Sequence, residues 1–136
     1  MKIFICCSKH FYDKVKPVKE ELEKNGHEVT LPNSFEDPYK EEKLKQHNLK
    51  EHAAWKASML RLQEEKIKKN DAILVLNFEK NGMKNYIGGA TFLEIFKAFE
   101  LKKKIFLLNP LPDNVFKDEL SCMSPVILNG DLSGIE

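Results

Sequence analysis

Three short apolar runs constrain this chain more than any other feature: Ile3-Phe4-Ile5-Cys6-Cys7, Ala72-Ile73-Leu74-Val75-Leu76 and Ile105-Phe106-Leu107-Leu108. Each is continuous rather than alternating. A strand with apolar residues on both faces needs cover on both faces, which is how strands of a parallel sheet between helices read. A fourth run, His27 to Leu31, alternates and stops at Pro32, as expected of a strand nearer the sheet edge.

The intervening segments have helical character. Asp13 can cap a helix running to about Asn25, with Gly26 at the stop position and Val15, Val18 and Leu22 on one face. Pro17 falls at the edge of its first turn, where a missing N–H removes at most one bond. Lys40 to Lys69 contains no Gly or Pro. It places Leu49, Ala53, Leu60 and Ile67 at helical spacing, in one long helix or two with a bend. Thr91 to Lys103 is apolar on nearly every side and is expected to be buried. A short helix around Asn114 to Leu120 and a last strand at Val126 to Leu128 complete the order. Alternating strands and helices with buried-type strands predict an α/β fold. The expected form is one domain over residues 1–136, a doubly wound parallel sheet of four to five strands in a flavodoxin-like three-layer sandwich. Ligands of such sheets bind at the carboxyl ends of the strands, which points to Ser8–Tyr12, Asn77–Thr91 and Asn109–Asp113.

Composition narrows the function. With 22 Lys+Arg against 21 Asp+Glu, the net charge of +1 gives no basic grip on a nucleic acid polymer. No apolar run approaches the roughly 18 residues that span a bilayer, and no cleavage site follows the first run. Three cysteines, two of them adjacent in an apolar run, do not make a disulfide framework, so a reducing cytoplasmic setting is expected. His47 and His52 lie five apart and share no helix face, so no metal pair is expected. No Cys-x-x-Cys, P-loop or nucleophile elbow occurs, and nothing implies a cofactor. A phosphorelay receiver needs an acidic pair after the first strand and an Asp ending the third, where this chain has Ser8-Lys9 and Asn77. A flavin carrier needs a hydroxyl-rich phosphate loop that Ser8 alone does not supply.

Two features retain chemical interest. Gly88-Gly89 precedes a helix, where backbone N–H groups can approach an anion or a sugar, although paired glycines often mark only a tight turn. Glu94 is a lone carboxylate near the start of an apolar helix. Burial raises such a pKa and the helix dipole lowers it, an opposition common at active sites. Thr91-x-x-Glu94 is equally the spacing of a capping box, in which Glu94 reaches back to the N–H of residue 91. Cys6 and Cys7 read as small core hydrophobes, His10 as a surface histidine, and Trp55 with Met59, Leu60 and Leu62 as core or subunit interface.

The stretch Asn85-Tyr86-Ile87-Gly88-Gly89-Ala90-Thr91-Phe92-Leu93-Glu94, continuing through Ala98 to Lys102-Lys103-Lys104-Ile105, resembles the nucleoside 2-deoxyribosyltransferase superfamily. Lys2 to Ser8 and Asn70 to Val75 resemble its first and third strands. The resemblance implies that Glu94 is a nucleophile attacking C1′ of a deoxyribose, with release of the base and a covalent sugar ester. It implies that Gly88 and Gly89 line the sugar or 5′-group pocket, that Ser8 and Lys9 close it, and that Tyr86 forms a wall or hydrogen-bond donor. It further implies a small-molecule nucleoside or nucleotide as substrate and a homodimer or higher homo-oligomer, with Asn129 reaching a neighbouring subunit's site. Two positions depart from the family pattern. Gly88 stands where an acidic residue or serine is usual, six before the nucleophile. Gln63 stands where many members place an Asp that assists the leaving base. Beside base transfer, a hydrolase, a different N-glycoside substrate and a catalytically silent nucleotide-binding module therefore all stay open.

Overall fold

The computed structural model describes residues 1–136. Five parallel strands form one sheet in the order β2-β1-β3-β4-β5, with β1 at Lys2–Cys6, β2 at Glu28–Thr30, β3 at Ala72–Val75, β4 at Lys104–Leu107 and β5 at Val126–Ile127. The three continuous apolar runs become the three central strands. Their register is direct: Phe4 pairs with Ile73, and Ile73 with Ile105. β2 is the edge strand and its residues stay partly exposed, as its alternating pattern requires.

Because side chains alternate across a strand, each central strand feeds two cores. Ile3, Ile5, Leu74 and Phe106 pack with Val15, Val18 and Leu22 of α1 (Val15–Lys24) and with Leu132 and Ile135 of the C-terminal tail. Phe4, Cys6, Ile73, Val75, Ile105 and Leu107 pack on the other face. There they meet Ile67 of α3 (Leu49–Lys68), Ile95 and Ala98 of α4 (Gly89–Glu100), and Leu120 of α5 (Lys117–Cys122). The fold is thus the α/β, flavodoxin-like three-layer sandwich. No helix is long and apolar enough to cross a membrane.

Three local expectations are corrected, and one left open between two alternatives is resolved. Asp13 caps nothing: it lies in a 3-10 turn over Lys9–Lys14 that Ser8 caps, and α1 begins at Val15. The Lys40–Lys69 stretch is two helices, α2 (Lys40–His47) and α3. They are broken at Asn48, which is extended and whose side chain accepts a bond from the Glu51 N–H at 3.1 Å. Of the apolar stripe read there, only Ile67 is buried, and Leu49 is 73% exposed. α4 is not buried all round: Leu93, Phe96 and Phe99 are 46–47% exposed, because the helix covers the sheet with only one face.

Candidate active site

The strand order reverses direction at β1, so the loops leaving β1 and β3 diverge and leave a cleft at their carboxyl ends. The loop after β1 enters the 3-10 turn, where Phe11 is buried. The loop after β3 is pinned onto it: Phe11 meets Phe78 edge-on with ring centroids 5.5 Å apart and Tyr86 at 6.4 Å. Between Phe78 and Tyr86 the chain doubles back through Asn81-Gly82. Both residues take positive φ (49° and 81°), and Lys80 and Met83 exchange two backbone bonds of 2.9 and 3.0 Å. That is the geometry of a type I′ turn, which asparagine followed by glycine suits.

The cleft is about 250 Å³ in volume, at the small end of ligand sites. Ser8, Lys9, Tyr86, Gly88, Gly89 and Glu94 all line it. These six, the residues expected at the chain's own site, therefore converge from three separate segments. Asn129, expected at a neighbouring subunit's site, does not line the cleft of its own chain. It sits in a left-handed turn (φ 52°) after β5, with β3 and β4 between that strand and β1. Nor does Asn109–Asp113 reach the cleft. Asn77 is fully buried and clamps that segment: its Nδ2 donates to the carbonyls of Asn109 (3.0 Å) and Pro110 (2.9 Å), while its Oδ1 accepts from the Asn109 N–H (2.9 Å).

Glu94 does not close a capping box. α4 starts at Gly89 with Gly88 as an extended N-cap, so Thr91 already lies inside the first turn and the Thr91 N–H is not the one Glu94 would have to reach. Glu94 is 6% exposed and lines the cleft, with the Cys6 thiol as its protein neighbour. Burial pushes its pKa up to about 8, against the opposing pull of the Cys6 hydrogen bond and of Lys66 and Lys56. In turn, burial and the adjacent Glu94 raise both Cys6 and Cys7, so these thiols stay protonated, and Cys7 also lines the cleft. A Cβ at Gly88 would meet the Tyr86 hydroxyl at 3.1 Å, so any larger residue there would require the Tyr86 side chain to give by a few tenths of an ångström.

The cleft mouth is cationic. Lys9 is ion-paired with Glu42, and Lys56 with Glu41 at 2.8 Å. Lys80, 4.5 Å from the centre of the Tyr86 ring, has no acidic partner, and His10 stands beside it. Desolvation and then Lys80 and Lys9 hold the His10 pKa down. Sequence reasoning missed His10 and Lys80 as site residues, together with Trp55, Met59 and Leu60, which line the cleft rather than the core. Their only signal was position: His10 and Lys80 lie in the loops after β1 and β3, and Trp55, Met59 and Leu60 share a flank of α3 that the sheet does not cover. Gln63, 7% exposed, lines the cleft where its Nε2 approaches the Ala90 carbonyl at 3.5 Å. No family model matches this chain, and no curated protein matches it.

Proposed function

We propose that this protein cleaves or exchanges the N-glycosidic bond of a nucleoside or nucleoside monophosphate, as the nucleoside 2-deoxyribosyltransferase superfamily does, with Glu94 as nucleophile. The observation that carries the reading is a buried Glu94 lining one cleft with Ser8, Lys9, Tyr86 and the Gly88-Gly89 turn. In the first step a Glu94 carboxylate oxygen bonds to C1′ while the C1′–N bond breaks and its electron pair leaves with the base. In the second, water or another base attacks C1′, the ester bond breaks and the carboxylate is restored. Water would lose its proton in that step and complete a hydrolysis, whereas a second base would complete a transfer. Gln63 donates hydrogen bonds but not a proton, so the leaving base departs without acid assistance from that position.

Lys80 favours a substrate with a 5′-phosphate, since it adds positive charge to the mouth without an acidic counterpart, and His10 beside it, held neutral, offers a ring N–H. The same family reading carries a homodimer or higher oligomer, with the exposed flank of α4 as its apolar contact. The test is incubation with 2′-deoxynucleosides and their 5′-monophosphates while free base is measured. Release by the native chain, faster with the monophosphates and reduced at least ~10³-fold in Glu94→Gln, is expected for loss of a nucleophile. Equal release by the variant overturns the assignment.

A second reading rests on Gln63, an amide buried where a general acid would stand. It makes the chain a binding module that holds a nucleotide without cleaving it. A monophosphate that raises the melting temperature and is recovered intact supports that reading over the first.

A further inference from the structure

The cleft lining includes an aromatic surface and an unpaired amide that the proposed chemistry does not use. Trp55 and Met59 from α3 and Pro32, Asn33 and Ser34 from the loop after β2 line both the cleft and a more open groove that adjoins it. Trp55 is half-buried, and its ring lies beside that of His52 with centroids 6.4 Å apart and a 37° tilt. It is therefore a held aromatic surface at the junction of two hollows. Asn33 ties the loop to α3: its Nδ2 donates to the Met59 carbonyl at 3.2 Å. That bond fixes which way the amide points. Its Oδ1 is left enclosed with no partner, and an unpaired buried acceptor is unfavourable until something donates to it.

We propose that Trp55 is the stacking face for the nucleobase and that Asn33 Oδ1 reads the base edge, selecting bases that carry an exocyclic amino group. This rests on the reading of the ligand as an N-glycoside of a heterocyclic base. Stacking on an aromatic side chain is indifferent to which base is bound, because every base has a π-face. Discrimination then falls to the polar group. Asn33 Oδ1 only accepts, and its NH2 cannot turn to replace it without giving up Met59. Adenine and cytosine present an amino donor where hypoxanthine and uracil present a carbonyl. A site built to accept a hydrogen bond at that position disfavours the analogue that presents a carbonyl there, whose nearest donor, N1–H of hypoxanthine or N3–H of uracil, is displaced by one ring atom.

Trp55 is the only tryptophan of the chain, so its emission reports the stack directly in the unmodified protein. The native chain is titrated with 2′-deoxyadenosine 5′-monophosphate and with 2′-deoxyinosine 5′-monophosphate. Saturable quenching is expected with both, at least about ten-fold tighter for the adenine nucleotide, the ratio that one hydrogen bond of about 1.4 kcal/mol gives. Asn33→Ala is expected to bring the two affinities together, and Trp55→Leu to weaken both about ten-fold or more by calorimetry. Equal affinities in the native chain overturn the role of Asn33. Nucleotide binding that raises the melting temperature without changing Trp55 emission overturns the stack. The outcomes separate from those of base release: free base with an unchanged KM in Trp55→Leu defeats this proposal alone. Selective quenching without any free base defeats the catalytic reading and leaves this one standing.

Discussion

Glu94 carries its carboxyl to a place that water barely reaches, and the free energy of ionisation there sets two pH dependences. A nucleophile must be ionised, and with its pKa raised to about 8 only a minority of Glu94 is ionised at neutral pH. The rate of base release should therefore climb with pH and level off above about 8. A flat profile between pH 6 and 9 would contradict the nucleophile assignment. Stability runs the other way. Between the ordinary carboxyl value of 4.5 and about 8, the folded chain holds a proton on Glu94 that the unfolded chain has released. Stability from this residue is complete below 4.5 and is lost as pH rises through 8, by up to about 1.4 kcal/mol per pH unit. Glu94→Gln does not titrate, so its melting temperature should match the native chain near pH 4.5 and exceed it progressively toward pH 8. A constant difference across that range would show that the carboxyl is not buried in its neutral form. The sequence exposed Glu94 as an oddity in an apolar helix but could not choose between cap and cleft. That choice depended on where α4 begins, and two glycines in a row leave the helix start undetermined by one turn.

Among the elements, α4 departs furthest from its sequence pattern. A helix with apolar residues on nearly every side meets its neighbours with one flank, through Ile95 and Ala98, and leaves Leu93, Phe96 and Phe99 half-exposed at successive turns. Scattered apolar exposure is ordinary, but a row of three large side chains on one helix is a patch that soluble chains usually cover. Sedimentation or scattering measurements should find the native chain associated at micromolar concentration and Phe96→Asp/Phe99→Asp monomeric with its fold intact. A native chain that stays monomeric throughout would refute the second-copy reading of this flank. α3 shows the converse error. Trp55, Met59 and Leu60 look like core by residue type, yet only Gln63 and Ile67 of this helix are buried. Hydrophobic periodicity reports which residues avoid water, and a ligand cleft satisfies that preference as well as a core does.

At the scale of the whole molecule, the architecture was legible because few arrangements cover three continuous apolar strands on both faces. The 2-1-3-4-5 strand order then follows from right-handed crossovers that place α1 on one face and α3, α4 and α5 on the other. The same topology gathers Ser8, Tyr86 and Glu94, which are distant in sequence, at the ends of β1 and β3. The Asn109–Asp113 segment fell outside because β4 carries its loop away from that reversal point, and Asn77 spends its side chain binding Asn109. Which strand ends form the cleft is a property of strand order, and no local pattern encodes it. The most direct measurement is covalent trapping. A 2′-fluoroarabino nucleoside 5′-monophosphate carries an electron-withdrawing substituent that slows collapse of a sugar ester, so incubation followed by peptide mass analysis should place one sugar-phosphate adduct on Glu94 with stoichiometric free base. Base release with no adduct, or an adduct on another residue, would contradict the account.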